Sequence, residues 1–60
     1  MNFDYVIKTL EIEKYRIEGL LRKIIQLEYE SMESIPGTER MKEDIKSLNA
    51  AIIELERISL

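Results

Sequence analysis

A single break, Ser34-Ile35-Pro36-Gly37-Thr38, divides an otherwise helix-patterned chain of 60 residues into a long arm and a shorter one. Pro36 disfavours helical geometry at Ile35 and has no N–H to give to a helix interior. Gly37 enters the left-handed conformation without steric cost, and Thr38 can start a new helix. Two amphipathic helices joined at Pro36, Gly37 and Thr38 are what such a chain can form. The expected fold is all-α: one domain over 1-60, an antiparallel two-helix hairpin, with helices over about 2-34 and about 39-59 and a turn at 35-38.

A hairpin of this size has one seam in which to bury side chains, near the lower limit of what folds alone. There is no cysteine for a disulfide, and with no histidine either there is no ordinary zinc or haem site. Hydrophobic residues nevertheless make up 45% of the chain, more than one seam requires. Self-association resolves that excess, so the hairpin is expected to dimerise into a four-helix bundle.

In the first arm, Asn2 is placed to cap the helix, and Asp4 lies in the first turn, where the helix dipole favours an anion. Apolar residues then recur at three-and-four spacing, from Phe3, Val6, Ile7 and Leu10 to Ile17, Leu20, Leu21, Ile24 and Leu27. In the second arm Met41, Ile45, Leu48, Ile52 and Leu55 alternate four and three apart, the spacing of a coiled-coil seam. The expected seam therefore joins Ile17, Leu20, Ile24 and Leu27 to Met41, Ile45, Leu48, Ile52 and Leu55.

Unequal arms have a consequence. At helical rise the first spans about 48 Å and the second about 33 Å, which sets Leu60 roughly opposite Ile12. Phe3, Val6, Ile7 and Leu10 would then lack a partner in their own chain and form a contact between copies. Tyr5, Ile12, Tyr15 and Gly19 share a second face, away from the main stripe, and complete the expected self-association set. Gly19 costs a helix interior about 1 kcal/mol relative to alanine. Close approach of another helix would explain it, as would simple tolerance.

Several activities lose their basis in composition. A net charge of -3, from 9 basic and 12 acidic residues, does not suit a nucleic-acid binder, and Lys14, Arg16, Arg22 and Lys23 scatter around the helix. No apolar run approaches the roughly 20 residues of a membrane span. Met1-Asn2-Phe3-Asp4-Tyr5 has neither the basic start nor the apolar run of a signal peptide, so the expected compartment is the cytoplasm. Without histidine, neither a Glu-x-x-His metal motif nor a histidine-activated serine can form. Glu13 interrupts the apolar stripe, either as a buried acid or as an edge charge paired with Arg16 or Arg57. Glu28, Glu30, Glu33, Glu39, Glu43 and Asp44 make the hairpin tip acidic, as a docking tip for a basic surface or as a solvated, repulsive end. No catalytic residue, cofactor, metal, nucleic acid or membrane partner is expected.

Ile12-Glu13-Lys14-Tyr15-Arg16, followed by an apolar second helix, resembles the small Spo0E-like phosphatases of sporulating bacteria. Those are helical hairpins with a Ser-Gln-Glu-Leu-Asp motif on the second helix. The nearest match here, Ile45-Lys46-Ser47-Leu48-Asn49, has Ile45 in place of the Ser and Asn49 in place of the acid, so the resemblance does not imply phosphatase activity. In length and architecture the hairpin also resembles the plasmid copy-control protein Rop, without its basic RNA-binding face. Tyr5-Val6-Ile7-Lys8-Thr9-Leu10-Glu11 and Ala51-Ile52-Ile53-Glu54-Leu55-Glu56 resemble openings and endings of short uncharacterised helical-hairpin proteins of Gram-positive bacteria and their phages. The leading expectation is a non-enzymatic protein-interaction or structural module, a regulator or adaptor that acts through helix packing. A Spo0E-like regulatory phosphatase, or another small effector of a signalling protein, is the alternative.

Overall fold

A computed structural model describes residues 3–59. Two helices, α1 (Asp4–Ser31) and α2 (Thr38–Ser59), pack against each other. Lys14 on α1 bonds Asn49 near the middle of α2, while Glu28 reaches Thr38 at its start, so the helices run antiparallel. The molecule is a rod of 48 × 15 × 12 Å. Its radius of gyration, 14.4 Å, exceeds the roughly 10 Å of a compact chain this long.

The seam on α1 follows a four-three ladder through Phe3, Ile7, Leu10, Lys14, Ile17, Leu21, Ile24 and Glu28, each buried or half-buried. Its counterpart on α2 runs through Thr38, Met41, Ile45, Leu48, Ile52 and Leu55, likewise covered. This spacing keeps one line of side chains facing one neighbour. Of the residues expected in the seam, all five on α2 and Ile17 and Ile24 on α1 are buried or half-buried. Leu20 and Leu27 stay 39% and 53% exposed, with Leu21 at the ladder position beside Leu20 and Glu28 at the one beside Leu27.

The first helix also ends earlier than its apolar pattern suggests, at Ser31 and not near 34. Met32 turns into the left-handed region, φ 61°, while its N–H still donates to the Glu28 carbonyl at 2.9 Å. No basic residue occupies the last turn to favour the carbonyl end. At the other end Phe3 precedes the first turn without a side-chain cap, and Asn2 lies outside the described residues.

The register, more than the shorter α1, removes the overhang at the start of the chain: α1 has 28 residues and α2 has 22, and the excess lies at the loop end. Taking the Lys14–Asn49 pair as the fixed level, equal rise sets Leu10 beside about residue 53 and Ile7 beside about residue 56. Phe3, Ile7 and Leu10 are accordingly half-buried within their own hairpin, and of that cluster Val6 remains exposed, at 44%. Leu60, once placed opposite Ile12, lies outside the described residues.

The connection is held by one carboxylate. Glu28 Oε2 accepts from the Ile35 N–H at 2.7 Å and stands 3.5 Å from the Thr38 hydroxyl, which itself donates to the Ile35 carbonyl at 2.9 Å. Thr38 is buried, and Gly37 supplies a positive φ of 94°. Met41 N–H donates to the Gly37 carbonyl and opens the α2 ladder. Glu28 thus ties the last turn of α1 to the loop that starts α2. Glu28→Ala is expected to lower the urea unfolding free energy by about 1–2 kcal/mol, as for the loss of a charge-assisted bond to backbone. Glu28→Gln, which keeps an acceptor oxygen, should lose less than half of that in the same denaturation series.

Candidate functional site

A seam of two helices leaves two flanks and two outer faces, and these differ in chemistry. One flank consists of the last residue inside each four-residue step of the ladder: Val6, Glu13, Leu20 and Leu27 on α1, and Asp44, Ala51 and Ile58 on α2. Antiparallel packing brings these two sets to the same side of the hairpin. The structure shows this as a shallow groove lined by Glu13, Ile17, Asp44, Ser47, Leu48 and Ala51. The opposite flank consists of the first residue inside each four-residue step: Asp4, Glu11, Glu18 and Ile25 on α1, and Lys42, Asn49 and Glu56 on α2. Glu18, Leu21, Arg22, Ile25, Lys42 and Ile45 line the groove there. The first flank is mostly apolar and the second mostly charged.

The outer face of α1 carries Tyr5, Ile12 and Tyr15, exposed by 83%, 61% and 60%. Gly19 shares it, and a Cβ built at Gly19 would meet nothing within 4 Å. Within the hairpin, therefore, no close packing explains that glycine. The self-association residues expected from sequence thus fall into two groups. Val6, Tyr5, Ile12 and Tyr15 are exposed, whereas Phe3, Ile7 and Leu10 belong to the seam and are half-buried.

Charged side chains are engaged locally. Glu13 pairs with Arg16 through two hydrogen bonds, which makes it an edge charge and not a buried acid. Hydrogen bonding from the Arg16 guanidinium, aided by its charge, holds the Glu13 carboxyl below the usual glutamate range. Arg40–Asp44, Lys42–Glu39 and Arg57–Glu54 are further exposed pairs within single helices. Such pairs contribute little to stability, about 0–1 kcal/mol each. The acidic tip is thus partly neutralised by Arg40 and Lys42.

Lys14 stands on the ladder itself. Its Nζ donates to Asn49 Oδ1 at 3.2 Å and lies 5.2 Å from the centre of the Tyr15 ring. This pair, and Glu28 at the tip, were not expected from sequence as seam members. The unbroken four-three count from Phe3 to Glu28 is the signal that could have found them. Ile45 and Asn49, at the positions aligned with the Spo0E-like motif, here fill the seam and accept the Lys14 bond.

Among the described residues no cluster of three or more His, Cys, Asp or Glu side chains forms a metal site, and no helix is long and apolar enough to cross a membrane. No protein-family model, curated protein or solved structure matches the chain.

The open space at Gly19 has a measurable consequence. Gly19→Ala should stabilise the hairpin by about 1 kcal/mol through helix propensity, seen as a higher denaturation midpoint with the mass unchanged. A lower midpoint would mean that another surface approaches the backbone there. The Glu13 pairing has its own signature. A carboxyl depressed in the fold contributes stability above its unfolded titration range and loses it as pH falls through the folded value. Arg16→Gln is therefore expected to move the Glu13 midpoint upward in an NMR titration and to flatten that acid-side loss.

Proposed function

We propose that this protein is a non-enzymatic helical interaction module that self-associates, two hairpins forming a four-helix bundle. The observation that carries the reading is how little the isolated hairpin buries. Among the described residues the buried apolar side chains are Ile17 and Ile52, and none is below 2% exposure. Val6, Leu20, Ile25, Leu27, Ile53 and Ile58 are all 39% exposed or more. The accessible surface is 5000 Å², against about 4,100 Å² for a compact monomer of this mass. A chain without disulfides or metal ordinarily gains the missing burial from another copy.

A role as regulator or adaptor follows from the same property, because a surface that pairs with itself can also pair with a related helix. The phosphatase-like alternative has less support, since Ile45 and Asn49 serve packing and register and not a polar site.

The test is whether folding depends on concentration. An assembly that holds the folded state stabilises it by mass action. Thermal midpoint and helix signal by circular dichroism should rise with protein concentration from micromolar to millimolar, and light scattering should give twice the monomer mass. A folded monomer with a concentration-independent midpoint would overturn the reading.

A further inference from the structure

We propose that the second copy docks on one flank only, the apolar one that carries Val6, Leu20 and Leu27 of α1 with Ala51 and Ile58 of α2. This inference rests on self-association and adds which face performs it.

The argument is one of pattern and geometry together. A helix that faces a single neighbour needs apolar residues at the two ladder positions of each heptad; a helix in a bundle core needs a third position beside them. On α1 that third position is apolar three times in four on the first flank, Glu13 being the exception, and once in four on the second, at Ile25. On α2 the first flank has Ala51 and Ile58 beside Asp44, while the second has Lys42, Asn49 and Glu56. Both helices widen their apolar stripe in the same direction along the ladder. Antiparallel pairing converts that shared direction into one face, apolar toward both ends and crossed near its middle by the acids Glu13 and Asp44, which line the groove there with Ile17, Ser47, Leu48 and Ala51.

The area also fits a second copy. The hairpin as a whole, not this flank alone, exposes roughly 900 Å² more than a compact monomer of its mass, enough for a standard interface of about 800 Å² per partner. Glu13 and Asp44, the acids on this face, already have Arg16 and Arg40 beside them, so covering the face leaves neither charge without a partner. The outer face of α1 is set apart from this region. Tyr5, Ile12 and Tyr15 there sit on the side of the helix away from the seam, and Gly19 is open to space.

Sedimentation equilibrium on the full chain tests this. Leu20→Glu/Leu27→Glu is expected to weaken the dimer by roughly tenfold or more, as for charges forced into an apolar interface, whereas Ile12→Glu/Tyr15→Glu should stay within about twofold of wild type. Dissociation by the outer-face pair with the flank pair intact would overturn the face and leave self-association standing. A wild-type chain that is monomeric and folded at every concentration would overturn both. Because loss of the dimer can unfold the hairpin, single-cysteine variants give a second reading in assembled protein. Alkylation of Ala51→Cys should slow by roughly tenfold once concentration passes the association range, while Ile12→Cys stays fast. Equal rates at both sites, or protection of Ile12→Cys alone, would refute the flank.

Discussion

Two helices share one line of contact, and a helix can offer that line only the side chains that recur every three and four residues. Everything else in this fold depends on that limit. The ladder from Phe3 to Glu28 meets the ladder from Thr38 to Leu55, and the remaining residues lie on flanks or outer faces. Among the described residues two apolar side chains are buried, Ile17 and Ile52, and neither completely. At about 25 cal/mol for each Å² of apolar surface removed from water, half-covered side chains deliver only part of what they could. The exposed ion pairs do not compensate, since each lies within one helix and in water.

Register in such a seam is weakly specified by apolar side chains alone, because Leu and Ile are interchangeable along it. Two polar residues on the α1 ladder supply the missing specification. Lys14 reaches Asn49, and Glu28 gathers the Ile35 N–H beside the Thr38 hydroxyl. One acts halfway along the rod and the other at the tip, so sliding α2 by a turn would break both. A polar residue at a seam position lowers stability but selects a single alignment. Met32 adopts a left-handed backbone, φ 61°, that glycine would adopt more readily, just before the loop that Glu28 ties. The short chain between Met32 and Gly37 is tethered at Ile35, and the turn follows from that tether.

Much of this was legible in the chain itself. Pro36 and Gly37 announce the turn, and the α2 ladder reads without error from Met41 to Leu55. On α1 the apolar residues come in doublets, Val6-Ile7, Leu20-Leu21 and Ile24-Ile25, so two lines of equal hydrophobicity compete. Counting apolar residues alone selects Leu20 and Leu27; counting the four-three interval through Lys14 and Glu28 selects the line that packs. Charge at those two positions concealed the seam because both residues act there through hydrogen bonds. The end of α1 was less legible. Residues 32–34 are compatible with helix by composition, but the helix gives way at Met32, whose backbone is left-handed, and Glu28 bonds the Ile35 N–H across the loop, a contact that apolar spacing does not encode. The overhang inferred from unequal arms has another cause of failure: α1 keeps 28 residues against 22 in α2, but the excess lies at the loop end and not at Phe3–Leu10.

The doublets that obscure the seam are also what make the hairpin one-sided. The last residue inside each four-residue step lies on the same flank in both helices once they run antiparallel, so Val6, Leu20, Ala51 and Ile58 converge although they come from both arms. The opposite flank converges too, and there Glu11, Glu18, Lys42, Asn49 and Glu56 keep it solvated. This asymmetry bears on how assembly ends. A hairpin sticky on both flanks could add copies without limit, as head-to-tail contacts that fail to close generate filaments. With a single apolar flank, a contact related by a two-fold axis uses that flank on both partners and leaves charged surface outward, so it closes at two. Under the proposed self-association, the charges of that opposite flank would set where assembly stops.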